Sequence, residues 1–327
     1  MAFRHFLAGV AALGIAACSN AGERSETARG PDGEAQAITD LRIISSDEME
    51  GRLVGTEGNA RARAYILERF AEIGLEPVGD GFEHPFDFTR PVDMREPDAE
   101  REELTGVNLI ARIPGTGEGG PVMVLGAHYD HVGVNDEGEI YNGADDNASG
   151  TAGLLALAQD FTDRPPLHDV IIVAFDAEEG GLNGARRFVA EPPVDIDSIG
   201  FMLNMDMIGY SPDGELYAVG TWHYPALLPV VEAVAAEAPV TLLTGYDEPT
   251  DNPRDDWTLL SDHGPFHMVG IPFLYLGVED HEHYHQPSDT FENMTLDFFL
   301  GAVETAKDVA RRVDAELADI AAAEPRN

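Results

Sequence analysis

The sequence predicts one α/β domain, built on a mostly parallel or mixed central sheet flanked by helices. Two observations carry that reading. Short, nearly continuous apolar runs recur at Val107–Ile113, Val122–Ala127, Val170–Phe175, Phe201–Leu203 and Phe273–Leu276, as strands buried on both faces require. Helical periodicity separates several of them, at Ala148–Phe161, Leu182–Val189 and Ala226–Ala236, and such alternation marks a layered sheet covered by helices.

Taken in order, the chain opens with Arg4 and His5, followed by an apolar stretch from Phe6 to Ala17. That stretch is too short to span a bilayer and reads as a secretory signal, residues 1–18. Its end, Ile15-Ala16-Ala17-Cys18, resembles the lipobox of bacterial lipoproteins, which implies a lipidated Cys18 and a protein anchored at the periplasmic side of the cell envelope. A small-residue cleavage site that happens to contain a cysteine is the alternative, and would give a secreted protein. Residues 19–36, rich in Gly, Glu, Ser, Ala and Arg, read as a flexible tether, and the folded domain is expected over 37–322.

Within that domain, Ala62, Ile66, Phe70 and Ile73 share one face of a helix over Glu57–Ile73, with Gly74 as its C-cap. Arg90–Glu103, charged and proline-containing, is expected to be an exposed loop or hairpin end. A last amphipathic helix carries Leu296, Phe299, Val303, Ala306, Ala310 and Val313, with Thr295 as its cap. No internal repeat is evident.

Composition narrows the function. Sixty acidic against twenty basic residues give a net charge of −40, which would repel a phosphate backbone and argues against nucleic-acid binding. A single cysteine rules out intrachain disulfides and multi-thiolate zinc sites, so any metal must be held by His, Asp or Glu.

Those residue types gather just beyond the apolar runs. His128-Tyr129-Asp130-His131 follows one run, and Asp176-Ala177-Glu178-Glu179 follows another. Asn142 to Gly150 contains Asp145-Asp146, Asp206 lies inside Phe201–Ile208, and His283 to Thr290 contains His285. Ligand sites in open α/β sheets form at the carboxyl ends of strands, so all five segments can converge on one crevice. Singly, each has a plain structural reading: a surface histidine, a helix N-cap, a solvated acidic pair. Asp206 differs, because an unpaired charge inside an apolar segment is costly and a metal is an economical partner.

Together, GAHYDH, NGADDNASG, AFDAEEGG, NMDMIG, SDHGPF and YHQPSDT resemble the M28 family of zinc peptidases, and the likeness runs from about residue 45 to 300, including MEGRLVGTEGN at 49–59. The resemblance implies the zinc-aminopeptidase fold, similar to that of the phosphorylase/hydrolase-like proteins, and two Zn²⁺ per chain. His128 and Asp206 would bind one ion, Glu179 and His285 the other, and Asp145 would bridge them, preceding a cis Asp145–Asp146 peptide. Glu178 would be the general base, acting on a metal-bridging hydroxide. Asp130 would accept from the His128 ring and orient it, while Ser261 and Asp262 would lie nearby in support. Two Zn²⁺ against three carboxylates leave one positive charge, which favours hydroxide at neutral pH.

The implied activity is removal of N-terminal residues from peptides. No residue clearly matches the tyrosine that stabilises the tetrahedral intermediate in some members, so Tyr246 and Trp257 are the candidates. His281 and His283 read as solvent-facing loop histidines, with lining of the substrate cleft or a weak surface metal site as the alternatives. A carboxypeptidase would need a cation for the substrate carboxylate, for which Arg254 is a loop candidate and Lys307 lies on the distal helix. A glutaminyl-cyclase-like acyltransferase and a non-catalytic envelope binding protein are further alternatives. The complete set of ligands and the intact Glu178 argue against both.

Overall fold

The computed structural model describes residues 35–91, 101–250, 252 and 255–326. The expected signal peptide with Cys18, all but the last two residues of the expected tether, and Arg254 lie outside the described residues. No described helix is long and apolar enough to cross a membrane.

The chain begins with α1 (Gln36–Ile44), a tight helical stretch over Asp47–Arg52 and α2 (Glu57–Ile73). Helix α2 starts where the Thr56 side chain accepts a hydrogen bond from the Asn59 amide, and it ends at Gly74 with φ of 84°. It buries Ala62, Ile66, Phe70 and Ile73, the face that the sequence pattern selects. Next come β1 (Glu76–Pro77), β2 (Glu83–Pro91), β3 (Arg101–Ile113), β4 (Val122–His128) and a small hairpin of β5 (Gly133–Val134) and β6 (Ile140–Tyr141). Helix α3 (Gly150–Asp163), β7 (Val170–Phe175), α4 (Asn183–Ala190), β8 (Ile199–Met205), β9 (Glu215–Val219), α5 (Leu228–Ala235) and β10 (Thr241–Thr244) follow. The chain closes with α6 (His263–Met268), β11 (Phe273–Gly277) and α7 (Leu296–Ala321).

The sheet order is β1-β3-β7-β4-β8-β11-β9-β10, with β2 also paired to β3. The four central strands β7, β4, β8 and β11 are mutually parallel, whereas β3 on one side and β9 on the other run antiparallel to them. Every residue of these four strands is buried, which explains their continuous apolar sequence. Helices α1, α3 and α7 pack together over β4 and β8, while α4 and α6 pack together against β3, β8 and β11. Phe175, Phe188 and Phe266 lock α4 and α6 to β7 through ring contacts of 5.3–6.2 Å.

Of the two expectations for Arg90–Glu103, the strands agree with a hairpin end: Arg90–Pro91 ends β2 and Arg101–Glu103 begins β3, paired antiparallel, with 92–100 outside the described residues. Thr295 stands at the N-cap of α7, but its side chain makes no capping hydrogen bond, and the helix continues past Val313 to Ala321.

Arg52 fixes the loops that rise from the sheet. Its side chain is fully buried and forms no ion pair among the described residues; it donates to four backbone carbonyls instead. Nε reaches Tyr129 O at 2.8 Å, Nη1 reaches Ile44 O at 2.9 Å and Asn142 O at 2.5 Å, and Nη2 reaches Gly143 O at 2.9 Å. One guanidinium therefore ties α1 to the segments that follow β4 and β6. Each buried carbonyl stripped of its donor costs about 1–3 kcal/mol. Arg52→Met is expected to lower the unfolding free energy by at least about 3 kcal/mol in a denaturant titration; a loss under about 1 kcal/mol would show that the loops hold without it.

Candidate metal centre

The loops leaving β7, β4, β8 and β11 emerge at one edge of the sheet, because these strands are parallel neighbours. Strand β4 ends on His128 and leads into Asp130 and His131; β7 leads into Asp176, Glu178 and Glu179. Strand β8 leads into Asp206, and the segment after β11 carries His281 and His285. The crevice expected from the order of the motifs is there.

Two groups of donor atoms form within it. One comprises His128, Glu178 and Asp206, and the other His131, Asp146, Glu179 and His285, with the atoms of each group lying within 4.8 Å of one another. His128 Nε2 lies 3.3 Å from Asp206 Oδ1 and 3.4 Å from Asp146 Oδ1. His285 Nε2 lies 3.0 Å from Asp146 Oδ2 and 3.2 Å from Glu179 Oε2. Asp146 thus presents one oxygen to each group.

This corrects the assignment of Asp145. Its Oδ2 contacts His281 Nε2 at 2.8 Å, and its Oδ1 accepts from the Gly209 amide at 2.6 Å and from Ser149 at 3.2 Å. These partners turn the Asp145 carboxylate away from both groups. The backbone explains the displacement by one residue: Asp146 and Asn147 leave helical geometry, so successive side chains diverge, and the cis peptide is Asp146–Asn147, not Asp145–Asp146. Asp289 holds the turn, accepting from the amides of Asp145 at 2.8 Å and Asp146 at 3.0 Å. Gly143, with φ of 57°, is needed there because a Cβ would lie 2.2 Å from Asp146 O.

Asp130 also acts differently from expectation. Its carboxylate stands 3.6 Å from His128 Nδ1, beyond hydrogen-bond reach, and the ring lies 3.2 Å from the Asp130 backbone carbonyl instead. The carboxylate accepts from the amides of Glu178 at 3.0 Å and Glu179 at 3.3 Å, so Asp130 fixes the acidic pair. Ser261 donates to Asp206 Oδ2 at 2.7 Å, and Asp262 is fully buried with neither carboxylate oxygen partnered among the described residues.

The two loop histidines are not solvent-facing. The His281 side chain is 9% exposed and seated on Asp145, and His283 bonds Ser288 at 3.0 Å. Sequence reasoning also gave His131 no role, although it is fully buried with Nδ1 2.7 Å from Glu179 Oε1. It missed Tyr284 as well. That ring stacks on His285 at 4.0 Å, lines the cleft, and its hydroxyl has no hydrogen-bond partner among the described residues. Of the earlier aromatic candidates, Trp257 lines the cleft, whereas Tyr246 stacks behind it at 4.0 Å with its hydroxyl on Glu279.

The electrostatics fit a cation centre. Burial pushes the Glu178 carboxyl well above the usual range; His128 opposes this, while Glu179, Asp262 and Asp206 reinforce it. Burial disfavours a charged His285, but Asp146 and Glu179 outweigh it and hold the imidazole at about 10. Burial likewise disfavours a charged His128, and Asp206 and Glu178 raise it well above its usual value. Protons on these rings thus balance the carboxylates when no other cation is bound. Ligands of one zinc ion, at bond lengths of about 2.0–2.1 Å, stand about 3.3 Å apart, close to the spacing of His285, Asp146 and Glu179. An all-nitrogen-and-oxygen donor set suits zinc.

A model of peptidase family M28 matches residues 108–310. An uncharacterised protein of Escherichia coli, YfbL, is 29% identical over 54% of this chain and 62% of its own. Aminopeptidase YwaD of Bacillus subtilis is 30% identical over 53% of this chain and 37% of its own. The matches thus span about a third to three fifths of these relatives' lengths. An aminopeptidase from Aneurinibacillus superposes with a TM-score of 0.67 at 17% identity, covering 89% of this chain and 94% of its own. A glutaminyl cyclase of Porphyromonas gingivalis superposes with a TM-score of 0.62 at 20% identity, covering 85% and 97%.

If Asp146 joins the two groups, Asp146→Asn should lower zinc affinity at both by tenfold or more, whereas Asp145→Asn should shift it less than about threefold. Competition with a chromophoric chelator measures both variants. Equal losses in the two would contradict the assignment.

Proposed function

We propose that this chain, which belongs to peptidase family M28, is a zinc-dependent exopeptidase that takes residues from the free N-terminus of peptides. The observation that carries this is the pair of donor groups joined by Asp146, set in a cleft with no lysine or arginine among its described lining residues. Its polar lining is acidic or imidazole: His128, Asp146, Glu178, Glu179, Asp206, Asp280 and His285, together with Ser261. Metal would neutralise Asp146, Glu179 and Asp206, which leaves Glu178 and Asp280 as the acidic lining groups, a set that suits an ammonium terminus better than a carboxylate one. Of the two cations weighed for a carboxypeptidase, Arg254 lies outside the described residues, and Lys307 pairs with Glu304 on α7 and lines a different groove beside α1 and α3.

We assign His128 and Asp206 to one ion, Glu179 and His285 to a second, and Asp146 to both. Zinc held there would acidify a water and polarise the scissile carbonyl. Glu178 takes the proton from the attacking water and returns it to the leaving amine. Its position suits this: burial favours a carboxyl that can hold a proton, and Asp130 fixes its backbone. We assign Tyr284, stacked on His285 in the cleft wall, to donate to the oxygen on which charge develops. Met207, Trp257, Leu260, Tyr275, Val278 and Tyr284 give the cleft an apolar wall, suited to an uncharged side chain beside the terminal amine.

One peptide in three forms tests the reading: free at both ends, N-acetylated and C-amidated, with products weighed by mass spectrometry. Loss of the first residue, blocked only by acetylation, is expected from the zinc-loaded protein. Glu178→Gln should reduce turnover by at least about 10²-fold while binding the same amount of zinc. Cleavage blocked only by amidation would establish the opposite polarity.

A further inference from the structure

We propose that His131 is a positioning residue for Glu179, holding one carboxylate oxygen so that only the other faces the metal; the proposal rests on reading the site as a zinc centre. His131 belongs to the donor group with Asp146, Glu179 and His285, and could be taken for a fourth ligand of the same ion. The distances separate the two roles. His131 Nδ1 lies 2.7 Å from Glu179 Oε1 but 3.7 Å from Asp146 Oδ2. His285 approaches the other Glu179 oxygen, Oε2, at 3.2 Å, and Asp146 Oδ2 at 3.0 Å. Two ligands of one zinc ion stand about 3.3 Å apart in a tetrahedron, so 2.7 Å describes a hydrogen bond.

The other ring nitrogen decides the tautomer. His131 Nε2 is buried with no partner among the described residues. Were Nδ1 to give its lone pair to the metal, Nε2 would carry the proton and stand as a buried donor without an acceptor, which is the costly arrangement. With the proton on Nδ1, donated to Glu179 Oε1, Nε2 keeps a bare lone pair, and an orphaned acceptor is more readily tolerated than an orphaned donor. The ring lies close against Gly143, where a Cβ would come within 2.5 Å of its Cδ2. His131 and His285 therefore flank the Glu179 carboxylate, one on each oxygen. Glu179 would thus have only Oε2 to offer to a metal.

Two variants of the full chain, loaded with Co²⁺ for spectroscopy and Zn²⁺ for affinity, test this. His131→Phe keeps a ring without the N–H, and His131→Asn places a side-chain N–H near the position of Nδ1. His131→Phe is expected to weaken metal binding 10–100-fold and to alter the visible Co²⁺ bands. His131→Asn should keep affinity within about threefold and leave the bands unchanged, as expected when an orienting donor is replaced in kind. Should the phenylalanine variant fail to fold, judged by its thermal melt, His131→Leu takes its place. Wild-type affinity and bands in the Phe or Leu variant would overturn the proposal. So would bands in the Asn variant showing that an imidazole ligand has been lost. A wild-type chain with no Co²⁺ bands at all would instead overturn the zinc-centre reading, and this proposal with it.

Discussion

The structure is organised around an excess of carboxylate at the carboxyl edge of four parallel strands. Asp130, Asp145, Asp146, Asp176, Asp206, Asp262 and Asp289 are buried there, and Glu178 and Glu179 stand beside them. Carboxylates out of water are costly unless each finds a donor or a cation. Some find protein donors. Asp176 takes the Asn59 side chain and the Val107 amide, and Asp289 takes the backbone of the turn before α3. Arg52 adds a buried positive charge whose field reaches Asp146, Asp289, Asp130 and Glu179 while its hydrogen bonds go to backbone. Asp146, Glu179 and Asp206 are left facing imidazoles, the arrangement from which divalent cations can displace protons.

The chemistry-bearing segments were legible because they follow buried strands, and buried parallel strands write themselves as uninterrupted apolar runs. Strands β2, β9 and β10 were not read. Strand β2 buries only Phe86, its other positions being exposed or half-buried, and β10 is only four residues long with two of them exposed. The donor residues that the crevice gathers were legible by type and order, but not at the resolution of one residue within Asp145-Asp146. Both aspartates are buried and both have partners, and only the local backbone decides which carboxylate faces the crevice. His131 and His281 were underread for a related reason: each serves a carboxylate distant in sequence, and no local spacing announces such a pair.

Fold alone does not settle the activity. Aminopeptidases and a glutaminyl cyclase share this architecture with the chain. The distinction lies in the site, where Asp146 faces two histidines on opposite oxygens and the described cleft has acidic and imidazole groups but no fixed cation. Under the proposed reading, metal would neutralise Asp146, Glu179 and Asp206, and the acidic groups left in the cleft, Glu178 and Asp280, would favour a positively charged peptide end.

The most direct measurement compares the chelator-stripped chain with the zinc-reloaded one, following thermal unfolding and the zinc retained per chain after dialysis. The account predicts two equivalents retained and a clearly higher melting temperature on reloading, since a ligand at 1,000 times its dissociation constant adds about 4 kcal/mol per site. A chain that melts identically in both states, or that saturates with a single ion, would contradict it.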